Sequence, residues 1–344
     1  MARAVASDRS VPLATDGEIA VLNLESGCRR AWTRFSQDEC AAGVAEAIVD
    51  MERLKAQFLG DFNALDRLES LASRFAHAED SFRAGLVAAE VASTVHRFAD
   101  AREHLAHAVQ MGAPDSAIER QSLALDQACG WGLDEVLDAR LRIAETSGRL
   151  EDLVPLGALL ADLERFEEAN TVYRQALHSY DDISPFPLAW VCFQLGMLWG
   201  EVLPVPEPNV AEFWYRRATG YLPGYVSARV HLAEIYASQG RTGDAEALLV
   251  PVLSSGDPEV RWRLADVLIA QGKFEEAETQ IDAARLVFEE LLEKHPLAFA
   301  DHAAEFYAGS GKDRCRALEL ARTNVANRPT RHAIKQARVN QSSL

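Results

Sequence analysis

The chain has 344 residues, of which 48% are hydrophobic and 25% are charged, the balance of an ordinary soluble globular protein. Its formal net charge of −17 argues against a general nucleic-acid binder and against docking on an anionic membrane surface, because both ligands are polyanions. The charge suits a basic protein partner. No apolar run reaches the ~20 residues that a membrane-crossing helix needs.

The first 40 residues are predicted to be an N-terminal arm that is partly disordered. Residues 1–17 lack the apolar core of a secretory signal, and the short apolar run Glu18–Leu24 suits a strand or an extended arm. The five cysteines are odd in number and scattered, and no C-x-x-C occurs, so neither a disulfide framework nor a structural zinc site is expected. We therefore expect a reduced protein of the cytoplasm.

A pattern of thirty-four residues then repeats about eight times between Ile48 and Pro329. Each copy has small residues where two helices would touch, and large apolar residues around that contact. The clearest copy carries these marks at Leu232, Ala233, Tyr236, Gly240, Ala245, Leu249 and Pro258. The pattern predicts a pair of helices in every copy, joined by a short turn at the glycine.

The weaker copies are predicted from their phase. Ala101 and Ala169 hold equivalent positions and lie 68 residues apart, which is twice thirty-four, so a further unit is predicted at 116–149. Another is predicted at 48–81. The unit that starts at Pro258 is about seven residues too long, and 274–294 contains no Gly or Pro, so we expect one long second helix there.

This residue set resembles the tetratricopeptide repeat family, over about residues 48–329. The resemblance implies an all-α, right-handed superhelical solenoid of about eight helix-turn-helix repeats. We assign the repeat domain to residues 41–329 and a basic C-terminal cap or tail to residues 330–344. Another helical-hairpin solenoid is the main alternative for the fold.

The resemblance also implies a concave groove, lined by the first helix of each unit, that binds a segment of a partner protein. The register places an apolar set along this groove, Trp190, Phe193 and Met197, followed by a largely charged set towards the C-terminus. The candidate partner-binding residues are Trp190, Phe193, Met197, His231, Glu234, Trp262, Arg263, Asp266, Asp301, His302 and Glu305. Val154, Ala158 and Val230 occupy further groove positions. Alternatively, Trp190 and Phe193 are buried between helices as part of the core and do not line the groove.

Two H-x-x-E pairs, His231/Glu234 and His302/Glu305, occupy the same repeat position and have a spacing that suits metal ligation. The pairs are two units apart, roughly 20 Å for packed helices, so they cannot share one ion. Arg263 belongs to the unit between them and would repel a cation. We therefore expect no metal and no cofactor, and hydrogen bonds or ion pairs at these positions instead.

The sequence favours a non-catalytic interaction or scaffold protein that binds a peptide segment, basic and amphipathic, of a protein partner. No phosphate loop, G-x-S-x-G or H-E-x-x-H motif occurs, so no catalytic residue is predicted. Two alternatives stay open: an accessory or regulatory subunit of a biosynthetic enzyme complex, and a metal-binding protein or enzyme that uses the His and Glu groove positions. The sequence predicts neither the partner's identity nor the oligomeric state.

Overall fold

The computed structural model describes residues 12–342, and within that range every regular element is a helix. The α-helices are α1 (Gly17–Gln37), α2 (Val44–Leu59), α3 (Asn63–Ala78), α4 (Phe82–Thr94), α5 (Phe98–Gln110), α6 (Asp115–Cys129), α7 (Leu133–Ser147), α8 (Leu150–Asp162), α9 (Phe166–Ser179), α10 (Pro185–Met197), α11 (Pro208–Tyr221), α12 (Val226–Ser238), α13 (Thr242–Leu249), α14 (Pro258–Ala270), α15 (Phe274–Lys294), α16 (Pro296–Ala308), α17 (Arg314–Asn327) and α18 (Arg331–Ser342). None of these helices combines the length and the apolar character that a membrane crossing demands.

Eight helix pairs, from α2/α3 to α16/α17, follow one another between Val44 and Asn327. The all-α helical repeat predicted from the sequence is confirmed. Residues 116–149 hold two helices, α6 and α7, with a break at Gly130–Gly132. The constant period therefore located helices even where few of the pattern residues occur.

The segment Glu18–Leu24 is helical, so the strand or extended arm expected there is wrong. The side chain of Asp16 accepts hydrogen bonds from the backbone N–H groups of Glu18 and Ile19, at 3.0 and 3.2 Å, and so caps α1. The buried residues of α1 then recur at helical spacing: Ala20, Leu24, Cys28 and Phe35. Read alone, the seven-residue run lacked this longer periodicity. Residues 1–11 of the predicted arm lie outside the described residues.

The described chain divides into two compact units. The first unit holds residues 12–23 and 133–248, and the second holds residues 24–132 and 249–342. Each unit is therefore built from segments that are far apart in sequence.

In the first unit, a glycine lets the two helices of a hairpin approach closely. Gly157 of α8 faces Tyr173 of α9, and a Cβ atom on Gly157 would lie only 2.6 Å from the tyrosine ring. Gly196 of α10 faces Tyr215 of α11 in the same way, at 2.4 Å. Both tyrosines are buried. The small residue and the large aromatic residue of the repeat pattern are thus the two halves of one contact.

In the second unit, the long second helix predicted at 274–294 is confirmed as α15, with 21 residues. Its added turns cover the next hairpin. The ring of Phe288 stacks on that of Phe306 in α16, with centroids 5.0 Å apart, and the Tyr307 hydroxyl donates a hydrogen bond to Glu289. The extra length of α15 is therefore used for packing against α16.

The second unit also joins the first hairpins of the chain to the last ones. The ring of Phe62 packs edge-on against Phe299, with centroids 4.9 Å apart. His295 Nε2 lies 2.8 Å from the Asp66 carboxylate, and the backbone N–H of Gly256 donates to the Gly60 carbonyl at 2.8 Å. Nothing in the sequence pattern predicted these contacts.

His96 lies at the centre of this contact between early and late hairpins. Its Nδ1 lies 3.2 Å from the Leu297 carbonyl, and its own carbonyl accepts a hydrogen bond from the Asn327 side chain at 3.0 Å. Burial of the ring, with the nearby positive charge of Arg328, lowers the pKa of His96 to about 4 even though Asp301 opposes the shift. The imidazole is therefore neutral in the folded protein at neutral pH.

The glycine–tyrosine contact predicts a loss of stability on adding a single methyl group. Gly157→Ala should lower the free energy of unfolding by about 1–3 kcal/mol, because the new Cβ overlaps the Tyr173 ring. Gly220→Ala is the matched control, since Gly220 is also helical and has nothing within 4 Å of a Cβ. It should raise stability by about 0.5–1 kcal/mol. Denaturant unfolding measures both; equal effects would rule out a helix contact at Gly157.

The neutral His96 predicts acid sensitivity. In the unfolded chain His96 has a pKa of about 6.5, so below that pH the unfolded chain binds a proton that the folded chain does not. The contribution of the neutral ring to the free energy of unfolding is therefore complete above pH 6.5 and falls as the pH drops towards 4. The loss amounts to at most about 3 kcal/mol. His96→Asn should flatten the curve between pH 6.5 and 4. Asparagine suits the positive φ of 59° at this position.

His77→Asn serves as the control for that measurement, because His77 is an exposed histidine on α3. Its pH–stability curve should keep the slope of the parent protein. A parent-like slope in the His96 variant would show that this imidazole is not held neutral.

Candidate functional site

The apolar set of candidate groove residues lies on α10, in the first unit. Trp190, Phe193 and Met197 are each partly exposed, so they are neither fully buried core nor free surface side chains. Their spacing of three and four residues places them along one side of the helix. The remaining groove positions of this unit differ in burial: Val154 and Val230 are buried, and Ala158 is partly exposed.

Aromatic rings surround the imidazole of His231, which α12 supplies. The Phe193 ring contacts the imidazole and two tyrosine rings. Its centroid lies 5.4 Å from that of His231, 5.7 Å from that of Tyr215 and 5.2 Å from that of Tyr225. The Tyr215 ring stacks on the imidazole at 5.6 Å with an angle of 15° between the planes. These rings hold His231 in one orientation and keep most of it from water.

Two carboxylates reach the same imidazole nitrogen. His231 Nδ1 lies 2.8 Å from Glu201 Oε1 and 3.1 Å from Glu234 Oε2. Burial alone would lower the pKa of His231, but the two carboxylates outweigh it and raise the pKa to about 10. The Tyr215 hydroxyl donates a hydrogen bond to Glu201 at 3.3 Å, which anchors that carboxylate. We call Glu201, His231 and Glu234 the His231 cluster.

Glu201 was not among the residues predicted from the sequence. It lies four residues after Met197 and eight after Phe193, so the spacing of the apolar stripe already pointed to it. In the structure α10 continues into a π-helix, Leu198–Val202, which places Glu201 on the last turn of the helix.

The candidate residues of α14, in the second unit, are joined in a hydrogen-bonded chain. Trp262 is buried, and its indole N–H donates to Ser310 at 3.2 Å, while the Ser310 hydroxyl donates to Asp266 at 2.6 Å. The Arg263 guanidinium lies over the Trp262 ring, 3.6 Å from its centroid. Trp262 therefore stiffens the hairpin and offers little surface to a partner.

The candidate residues of α16 are also engaged within the second unit. Asp301 is buried and forms an ion pair with Arg328. His302 is exposed and pairs with Glu259, while Glu305 accepts a hydrogen bond from Gln336. The nearby Asp301 charge contributes most to a pKa of His302 well above its usual range. The pair His302/Glu305 thus differs from His231/Glu234, in which the two side chains contact each other.

Comparison with protein families identifies the repeat directly. The tetratricopeptide repeat model matches residues 226–251 and 258–283, which correspond to α12 with α13 and to α14 with the first part of α15. No curated protein sequence matches the chain significantly.

Comparison with solved structures finds matches of low sequence identity, with TM-scores below 0.5. A tetratricopeptide repeat protein from Parabacteroides merdae is 14% identical, with a TM-score of 0.43, over 76% of this chain and 100% of that one. PilF from Pseudomonas aeruginosa is 16% identical, with a TM-score of 0.45, over 65% and 97%. The MamA protein is 20% identical, with a TM-score of 0.37, over 48% and 87%.

The family match falls on the two copies in which the sequence pattern is clearest. The other helices follow one another in the same order of elements. Residues 226–251 and 258–283 are therefore similar to two consecutive tetratricopeptide repeats.

Proposed function

We propose that this chain is a non-catalytic interaction protein of the cytoplasm that binds a peptide segment of a partner protein on the first helices of its hairpins. The observation that carries the proposal is the composition of α10. Its thirteen residues include no charged side chain, yet Trp190, Phe193 and Met197 remain partly exposed. An apolar stripe of this kind, with aromatic and methionine side chains, suits an anchor residue of a bound helix or extended peptide.

The charge beside this stripe indicates the chemistry of the peptide. Glu201 and Glu234, at the end of the stripe, expose 44% and 32% of their side chains. The whole chain has a net charge of −17. A segment with a bulky apolar residue and a nearby Lys or Arg therefore complements the surface, whereas nucleic acid and anionic membrane do not.

The proposal predicts that partner capture depends on the stripe. Trp190→Ala and Met197→Ala should each remove the anchor contact and mainly speed dissociation, by about 5- to 30-fold for a residue that carries about 1–2 kcal/mol of binding. The partner is first captured from a lysate on the parent protein and identified by mass spectrometry. The kinetics are then measured with the purified partner segment, at two salt concentrations.

Phe213→Ala is the matched control, because Phe213 is an exposed aromatic residue on α11, the second helix of the same hairpin. It should leave the dissociation rate unchanged. Association should slow at higher salt, because the exposed charges are screened over about 10 Å at 0.1 M. A partner that binds both stripe variants as tightly as the parent would place the binding surface elsewhere.

A further inference from the structure

The His231 cluster has a feature that a peptide-binding surface does not require. Three ligand-competent side chains from two separate elements converge on one point, and their nearest nitrogen and oxygen atoms all lie within 4.8 Å of one another. The H-x-x-E spacing supplies only two of the three. We propose that Glu201, His231 and Glu234 form a binding site for one divalent transition-metal ion, such as Zn²⁺ or Mn²⁺.

The distances fit ligands that share one ion. Bonds from zinc to imidazole nitrogen and carboxylate oxygen are about 2.0–2.2 Å, so two ligand atoms of one ion lie about 3 Å apart. The separations from His231 Nδ1 to the two carboxylate oxygens are 2.8 and 3.1 Å. An ion therefore fits with only small adjustments of the side chains.

The direction of the contacts is compatible with an ion on the axis of Nδ1. Nδ1 of His231 has no access to solvent and makes no hydrogen bond of acceptable angle, although both carboxylates are close. The two oxygens thus flank the axis of the Nδ1–H bond, which becomes the axis of the nitrogen lone pair once His231 loses its proton. An ion on that axis places its other ligands in such flanking positions, at angles near those of a tetrahedral or octahedral site.

The local backbone supports a built site. Leu198–Val202 is a π-helix, closed by a hydrogen bond from the Leu203 N–H to the Leu198 carbonyl at 3.1 Å. A π-turn is unfavourable relative to a continued α-helix and recurs at functional positions in proteins. Here it carries Glu201, and the Tyr215 hydroxyl hydrogen-bonds to that carboxylate. The π-turn and Tyr215 together hold the ligand that the sequence did not predict.

The donor set identifies the class of ion. One imidazole and two carboxylates, with no thiolate among them, suit Zn²⁺, Mn²⁺ or Fe²⁺ and disfavour soft ions such as Cu⁺. The carboxylates remain partly exposed, so water completes the coordination. Binding requires His231 to lose its proton, so affinity for the ion should rise with pH.

The sequence led us to expect no metal, because His231/Glu234 and His302/Glu305 are too far apart in the repeat to share an ion. Glu201 belongs to neither pair. The third ligand comes from the preceding hairpin, where α10 ends next to α12.

The test is a titration of the full chain, freed of metal with EDTA, by isothermal calorimetry with Zn²⁺ and separately with Mn²⁺. One ion per chain should bind. Glu201→Gln, which keeps the shape of the side chain but removes its charge, should weaken affinity by about tenfold or more. His231→Gln should abolish binding. His302→Gln is the matched control, since it alters the equivalent histidine of another H-x-x-E pair, and its affinity should equal that of the parent.

Thermal unfolding keeps the result interpretable if a variant is less stable than the parent. Each protein is compared with itself in EDTA and in Zn²⁺, and only a protein that binds the ion in its folded state should gain in Tm. The parent and His302→Gln should gain equally, Glu201→Gln should gain less at the same Zn²⁺ concentration, and His231→Gln should not gain. An absence of one-to-one binding in the parent, or equal binding and equal gain in all four proteins, would overturn the proposal.

Discussion

The close approach of paired helices is the constraint on which the first unit depends. Gly157 and Gly196 leave no room for a Cβ atom, because the rings of Tyr173 and Tyr215 fill that space. The contact fixes the separation of α8 from α9 and of α10 from α11. In the clearest sequence copy, alanine takes the small-residue role, at Ala233 and Ala245, and both are fully buried. Close packing at these positions sets how near the two helices of these hairpins can come.

That contact also connects the fold to the His231 cluster. Tyr215 uses one face and edge of its ring against Gly196, stacks on the His231 imidazole, and hydrogen-bonds through its hydroxyl to Glu201. Burial is the main cause of a pKa of Tyr215 well above its usual value, so the hydroxyl stays protonated and remains a donor. One residue of the repeat pattern therefore both closes a hairpin and orients two members of the cluster.

Most of the fold could be predicted because it depends on local periodicity. The succession of helices, including α6 and α7, and the length of α15 all follow from spacing, turn residues and the absence of helix breakers. The helical state of Glu18–Leu24 was mispredicted because its supporting apolar residues lie further along α1. The contact of Phe62 with Phe299 joins residues far apart in sequence, and a repeat period contains no information about such pairs.

The site was predicted in part for the same reason. Phe193, His231 and Glu234 lie at periodic positions, and the structure brings all three together. Glu201 lies in the π-helix that follows α10, where the repeat pattern assigns no residue, so only its spacing from Phe193 and Met197 pointed to it. Equivalence of position also does not guarantee equivalence of contact. His302 pairs with Glu259 and not with Glu305, because its neighbours on the adjacent helices differ from those of His231.

The contact between early and late hairpins in the second unit changes how this chain should fold. In a linear repeat array each unit touches only its neighbours, so folding can start anywhere and the ends can be shortened with modest effect. Here Asp66 and His96 find their partners at His295 and Leu297, more than 200 positions later in a chain of 344 residues. The first hairpins to leave the ribosome must wait for the last before this surface is covered. High contact order of this kind slows folding, and removal of the last hairpins would expose apolar and charged groups near the N-terminus.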